Sequence, residues 1–251
     1  MSILKRNQYL RSIELKREEI EDFSKYPFFL PAIINLKNLE FHPKVTFIVG
    51  ENGSGKSTIL EAIAVNYGFN PEGGTKNFNF SSRDTHSDLG HYIKLVKGLR
   101  KPKDGFFFRA ESFYNFATNV EDLEKEDPGL LQSYGGRSLH GQSHGESFFS
   151  VFMNRFLGNG LYILDEPEAA LSPSRQMSMI SRIHELVEKD SQFIIATHSP
   201  IIMAYPDAII YEIKDDIRQV QYQETENYII TKSFLNKTNA MIEVLIDQNM
   251  K

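Results

Sequence analysis

Residues 50–57 read Gly50-Glu51-Asn52-Gly53-Ser54-Gly55-Lys56-Ser57, between the run Val45-Thr46-Phe47-Ile48-Val49 and the stretch Thr58-Ile59-Leu60-Glu61-Ala62-Ile63-Ala64. The first flank is short and apolar, which predicts a buried strand. In the second, Ile59, Leu60, Ile63 and Ala64 recur at helical spacing, which predicts a helix over 55–67. The octet therefore turns a strand into a helix, the context in which this spacing of glycines, lysine and serine cradles phosphate. Glycines allow backbone N–H groups to approach an anion closely, and the helix N-terminus adds favourable partial charge. Lys56 supplies a point charge for the outer phosphates. Ser57 supplies a hydroxyl for a hard divalent cation, for which Mg²⁺ fits best. The cofactor-binding candidates are thus Gly50, Glu51, Asn52, Gly53, Ser54, Gly55, Lys56, Ser57 and Thr58.

Working outward, Phe106–Arg109, Leu161–Leu164 and Phe193–Ala196 are further short apolar runs bounded by glycine, proline or charge, and predict buried strands. Helices are predicted between them. One spans Glu146–Phe156. Another spans Pro173–Glu188, with Ser172 as cap, proline in its first turn and Met177, Ile180, Ile183 and Val187 as its buried stripe. Strand alternating with helix predicts an α/β fold, a mostly parallel sheet flanked by helices. The chain is read as a single domain over 1–251. Residues 71–143 are an irregular or helical inserted lobe, and residues 209–251 a hairpin followed by helices. Phe23–Leu36 is apolar but carries Pro27 and Pro31, and predicts irregular or edge structure.

Three further elements carry chemistry. The strand Leu161–Leu164 runs into Asp165 and Glu166, which predicts two carboxylates at the sheet's C-terminal edge. Asp165 is the candidate metal partner with Ser57, and Glu166 the candidate base that activates water. Ser143 and Gly145, in Gln142-Ser143-His144-Gly145-Glu146-Ser147, open a helix and offer a second anion site. His198 ends the strand Phe193–Ala196 in Thr197-His198-Ser199-Pro200, where an imidazole ring can donate or accept a hydrogen bond.

Together, in this order, these elements resemble the ABC-ATPase superfamily and its P-loop fold. The string Tyr162–Pro173, YILDEPEAALSP, is similar to the form found in compact bacterial ATPases related to SMC, Rad50 and RecF, and to the OLD-like branch. The resemblance spans about residues 45–211. It implies ATP and Mg²⁺ as ligands, and catalytic roles for Glu166, His198 and Lys56. It also implies a head-to-tail homodimer formed around ATP, in which Ser143 and Gly145 act across the interface. It suggests a conformational cycle in DNA repair or antiviral defence, acting on DNA or on a DNA-acting protein partner. Alternatives are the ATP-binding subunit of a membrane transporter and an ATP-switched binding module. The sequence departs from the superfamily's usual pattern in Ser143-His144-Gly145-Glu146, in Ser172 at a position usually acidic, and in lacking a clear Q-loop glutamine; the resemblance points to Glu111, just after the strand Phe106–Arg109, as the equivalent residue beside the metal. It has neither a heptad arm between the motifs nor room for a Toprim nuclease after Pro200.

Composition is compatible with this reading. The 251 residues are 41% hydrophobic and 24% charged, the range of a soluble globular protein. The absence of cysteine excludes thiolate metal sites and cysteine nucleophiles. No apolar run approaches the length of a membrane helix, so a cytoplasmic protein without membrane contact is expected. A net charge of −5 argues against a surface built wholly for nucleic acid. A local basic patch remains open at Lys94, Lys97, Arg100, Lys101 and Lys103, which reads first as a solvated basic loop.

Overall fold

Where apolar residues come in short runs the chain is extended, and where they recur every three or four residues it is helical. The computed structural model describes residues 8–76 and 87–247. In chain order it contains β1 (Leu10–Leu15), α1 (Pro31–Ile34), β2 (Asn38–Glu40), β3 (Val45–Gly50), α2 (Lys56–Tyr67), α3 (Leu89–Tyr92), β4 (Ile93–Lys97) and β5 (Asp104–Arg109). There follow α4 (Phe113–Glu126), α5 (His144–Arg155), β6 (Gly160–Asp165), α6 (Pro173–Glu188), β7 (Gln192–Ala196), β8 (Ala208–Ile213), β9 (Ile217–Val220), α7 (Glu226–Asn236) and α8 (Thr238–Asp247).

The main sheet has the order β5-β6-β7-β3-β8-β9. All its pairs are parallel except the terminal β8–β9 hairpin. Both faces are covered, so β6 and β7 are buried along their whole length and β3 as far as Val49. Alternation sorts the side chains. Val45, Phe47 and Val49 of β3 enter the core beneath α4, α5 and α6. Ile48 enters the second core, formed with α2 and a three-stranded antiparallel sheet of order β2-β1-β4. The aromatic run of β5 divides in the same way, with Phe106 and Phe108 on one side and Phe107 on the other. Phe108 meets Phe148 of α5 with ring centroids 4.1 Å apart, which fixes the start of α5 against the sheet.

The two sheets are joined by Gln192, which is fully buried. Its Oε1 accepts from the Tyr9 and Leu10 N–H groups at 3.0 and 2.9 Å, and its Nε2 donates to the Leu10 and His42 carbonyls at 2.7 and 3.0 Å. Every hydrogen-bonding position of the carboxamide that a single side chain can use here is engaged.

The predicted strands and the helix Pro173–Glu188 lie where expected, with the Ser172 hydroxyl accepting the Arg175 N–H as its cap. The stripe on α6 holds at Ile180, Ile183 and Val187, which are buried or pack against the core, and fails at Met177. Met179, Ile183, Leu186 and Val187 face the core, while Met177 is 56% exposed. Spacings of four, three and one residue fix that face, and Met177 falls outside it. Phe23–Leu36 is mostly turns with the single helical turn α1, whose Pro31 needs no partner for its missing N–H. Residues 71–143 distribute their strands, β4 to the small sheet and β5 to the edge of the main one.

Candidate active site

The parallel strands deliver the predicted residues to one edge of the main sheet. β3 ends in Gly50, β6 in Asp165 and β7 just before His198, and β7 lies between the other two. Gly50 (φ 149°) and Gly55 (φ 100°) have backbone geometries that side chains rarely adopt. A Cβ on Gly50 would also stand 2.5 Å from the Ile213 carbonyl oxygen. The loop is therefore wrapped tightly, and Lys56, the first residue of α2, is buried beneath it. Its ammonium donates to the Gly50 and Glu51 carbonyls at 2.9 and 2.8 Å. Burial lowers its pKa, while the carboxylates of Glu166, Asp165 and Glu168 act the other way. Ser54 Oγ is buried in the loop without a hydrogen-bond partner among the described residues. A buried polar atom left in that state fits a loop built to receive a polar ligand.

Ser57 Oγ donates to Asp165 Oδ1 at 3.0 Å. Asp165 is almost wholly buried. Burial pushes its carboxyl up to about 7, against the Ser57 hydrogen bond and the Arg109 charge, which pull it down; Glu166 and Glu111 add to the rise. A hydroxyl and a carboxylate whose charge is poorly compensated form a hard-oxygen pair that suits Mg²⁺. Glu166 has φ 50° and ψ 52°, left-handed geometry for a residue that is not glycine. Its N–H donates to the Ala196 carbonyl at 3.0 Å, so the strained turn is held by the neighbouring strand. His198 Nε2 lies 3.5 Å from Glu166 Oε1, at ion-pair distance with no hydrogen bond closed between them. The histidine's own peptide is pinned by Glu168 Oε1, which accepts its N–H at 2.5 Å, and by Asn227 Nδ2, which donates to its carbonyl at 2.9 Å.

A hollow of about 380 Å³ runs along this edge. Asn52, Gly53, Gly55, Lys56, Ser57, Thr58, Glu111 and Glu166 line it, together with Tyr26 and Leu30. Gly50, Glu51 and Asn52 also line a second hollow with His198 and with Glu226, Asn227, Ile230 and Thr231 of the α7 region. Glu111, largely exposed, is held by Arg109 at 3.3 Å, and Arg109 also reaches Glu61 at 2.5 Å. Ser143 and Gly145 stand elsewhere, lining a separate hollow with His144, Ala169, Ala170, Ser172 and Arg175. Ser143 caps α5 in a reciprocal arrangement with Glu146. A Cβ on Gly145 would stand 2.1 Å from the Ala170 carbonyl oxygen, so packing alone already requires glycine there.

Several residues at this edge carry no motif. Tyr26 and Leu30 reach the hollow because the Ala32 N–H of α1 donates to the Ser54 carbonyl at 2.9 Å, which ties residues 26–32 to the loop. Arg109 faces Asp165 because the two are partners in parallel register. Asn227 comes from a helix more than 25 residues beyond His198 in sequence. These are tertiary contacts, and only the second glutamate of Asp165-Glu166-Pro167-Glu168 was visible as part of a pattern.

Comparison with known proteins agrees with this architecture. The chain is 25% identical over 244 residues to the phosphate import ATP-binding protein PstB 2 of Streptococcus thermophilus, covering 85% of this chain and 96% of that one. It is 29% identical over 181 residues to the cytochrome c biogenesis ATP-binding export protein CcmA of Rhizobium johnstonii, covering 65% of this chain and 81% of the other. Among solved structures it resembles cbiO1 of Clostridium perfringens, part of the ABC transporter complex cbiONQ. The TM-score is 0.50 at 20% identity, over 96% of this chain and 99% of that one, a likeness of fold. A family model described as an AAA domain (AAA_23) matches residues 19–248, most of the length, and the chain belongs to that family as a compact member of the ABC-ATPase superfamily.

Proposed function

We propose that this chain hydrolyses ATP as a dimer clamped around the nucleotide, and that closing and opening of the clamp does work on DNA or on a DNA-acting protein. The observation that carries the reading is the convergence at one sheet edge: Ser57 and Asp165 joined at 3.0 Å, with Glu166 and His198 3.5 Å apart beside them. Lys56 exchanges its two carbonyl partners for phosphate oxygens. Ser57 and Asp165 would hold Mg²⁺, which when bound would supply charge neutralisation to the phosphates. Glu166 orients the attacking water and takes its proton. His198, next to Glu166, holds the outer phosphate or that water. Tyr26, 60% exposed on the wall of the same hollow, offers a ring face to the nucleotide base.

Ser143 and Gly145 share no lining residue with the P-loop hollow. Their use at the nucleotide therefore calls for a second protomer. Helices α7 and α8 support the same arrangement, since Glu226, Asn227, Ile230 and Thr231 of α7 line the second hollow beside Gly50, Glu51 and Asn52, and Ile230, Leu235, Val244 and Leu245 are exposed.

A basic face supports a polyanionic target. Lys16, His91, Lys94 and Lys97 line one hollow. Lys76 and Lys97 both lie over the Tyr67 ring, at 4.2 and 4.8 Å. Burial lowers the Lys76 pKa, and Lys97 and Lys101 lower it further. Lys94 and Lys16 are paired with Glu14 and Glu19, but among the described residues Lys76, Lys97 and Lys101 have no acid at ion-pair distance.

The test is the steady-state ATPase rate with and without duplex DNA. Stimulation that fades as salt rises, and that is lost in a Lys97→Glu, Lys101→Glu chain with its basal rate intact, is the expected result. A rate indifferent to DNA at low salt overturns the DNA arm. The second reading, the ATP-binding subunit of a transporter, is favoured by the transport functions named for PstB 2 and CcmA. Among the described residues no helix is long and apolar enough to cross a membrane, so that reading requires a separate membrane subunit.

A further inference from the structure

The second glutamate of Asp165-Glu166-Pro167-Glu168 has no part in the chemistry described so far, and neither has α7. They meet at His198. Glu168 lies in the single turn of 3₁₀ helix Pro167–Ala170 that follows the strained Glu166. Its Oε1 accepts the His198 N–H, and its Oε2 is buried without a partner among the described residues. A carboxylate oxygen buried in this way is costly, and such a cost is tolerated where the group has a task. Asn227, in the first turn of α7, donates to the carbonyl of the same histidine. The flanks of the loop are tied as well. Ser199 Oγ donates to Gln176 Oε1 at 2.6 Å, and the Tyr222 hydroxyl donates to the Pro200 carbonyl at 2.8 Å. Those bonds fix the loop's path. The bonds from Glu168 and Asn227 grip both peptide groups flanking the His198 Cα, and so set where its ring can point.

We propose that Glu168 and Asn227 are positioning residues for His198, holding its imidazole toward Glu166 during ATP hydrolysis. The proposal rests on the ATPase reading above and deepens it. In this role each side chain acts on the histidine's peptide groups. Glu168 acts as a hydrogen-bond acceptor, so a neutral carboxamide can replace it, and Asn227 acts as a donor. Because Asn227 belongs to α7, that helix is tied to the hydrolytic edge. Whatever moves α7 moves the His198 carbonyl.

The test measures kcat, KM and nucleotide affinity for wild type and for Glu168→Ala, Glu168→Gln, Asn227→Ala and His198→Ala, with the two doubles that combine each alanine with His198→Ala. Glu168→Ala and Asn227→Ala should each lower kcat by about ten- to a hundredfold, as expected of a misplaced group, with affinity changed by less than about threefold. Glu168→Gln should restore most of what Glu168→Ala loses. In the His198→Ala background both alanines should cost nothing further, since they act through a ring already absent. An unchanged kcat in Glu168→Ala, or the same loss with and without His198, overturns the proposal. Should Glu168→Ala fail to fold, Asn227→Ala on a separate helix decides the matter by the same double-mutant comparison. A wild-type chain without turnover overturns the ATPase reading and this proposal together. Turnover in wild type beside an unaltered Glu168→Ala overturns this proposal alone.

Discussion

Asp165 is held where a carboxylate is least at home, at the buried end of β6, with one hydroxyl as its hydrogen-bonding partner. Its pKa of about 7 stands well above the ordinary carboxylate range. The unfolded chain gives up this proton near pH 4, and the folded chain retains it until about pH 7. Between those values the folded state binds more protons, so the group's contribution to stability falls as pH rises. Asp165→Asn keeps the shape and an acceptor for Ser57 while removing the charge. Without nucleotide or Mg²⁺, it should melt several degrees above wild type at pH 8, and the gap should shrink steadily toward pH 5. A gap independent of pH would show that the carboxylate is already compensated. At the same scale, Tyr26 is assigned the base through its ring face alone. Stacking of a base on an aromatic ring contributes about 1–3 kcal/mol, so Tyr26→Ala should weaken ATP binding by roughly 5- to 150-fold and leave kcat at saturation little changed. Equilibrium titration beside saturation kinetics separates the two quantities.

At the scale of elements, what the sequence made legible was local. Strand β3, the glycine turn and α2 announce themselves because glycine, lysine and periodic apolar residues must be contiguous to form that turn. Asp165, Glu166 and His198 were legible because each follows an apolar run too short to be a helix. The exposure of Met177 was not, because Met177 and Met179 are equally apolar and only the sheet beneath decides which is covered. The wall formed by Tyr26 and Leu30 was hidden by two prolines that read as disorder of pattern, although Pro31 starts the turn that docks on Ser54. Gln192 is the clearest case of a polar residue whose role exists only in three dimensions. It lies just outside the apolar run Phe193–Ala196, yet it joins the two sheets through four hydrogen bonds. Gln192→Leu fills similar space but leaves the Tyr9 and Leu10 N–H groups buried without partners. At about 1–3 kcal/mol for each such group, the substitution should cost on the order of 3 kcal/mol and lower Tm by roughly 6–12 °C. Thermal and chemical denaturation would show it, and a loss below about 1 kcal/mol would mean that water or a backbone shift replaces the side chain.

At the scale of the whole molecule, the P-loop and the Ser143–Gly145 loop face different hollows. The P-loop hollow contains Lys56, Ser57 and Glu166, and the Ser143–Gly145 hollow contains none of them. A monomer that used both on one nucleotide would have to rearrange, whereas a head-to-tail dimer can apply the loop of one protomer to the P-loop of its partner. Mixing two inactive variants distinguishes these arrangements. Lys56→Ala removes the phosphate charge and leaves the Ser143 loop intact. Ser143→Asp keeps a good helix cap but places negative charge where phosphate would lie. Each variant alone should lack turnover. In an equimolar mixture, half the dimers pair the two variants, and each such dimer contains one P-loop and one loop that are both intact, facing each other. Activity should then recover to about a quarter of the wild-type value if each composite site works independently. Recovery should rise with total protein concentration, because it depends on association. No recovery at any concentration, in a mixture shown by sedimentation to form mixed dimers with Mg-ATP, would place Ser143 in the service of its own protomer or require both sites to be complete before either turns over. The second of these is separated by a tandem-linked chain carrying a single Lys56→Ala substitution. If that chain closes around nucleotide without hydrolysing it, the two sites act as one unit. If it hydrolyses at half the wild-type rate, they act independently and the loop acts within its own chain.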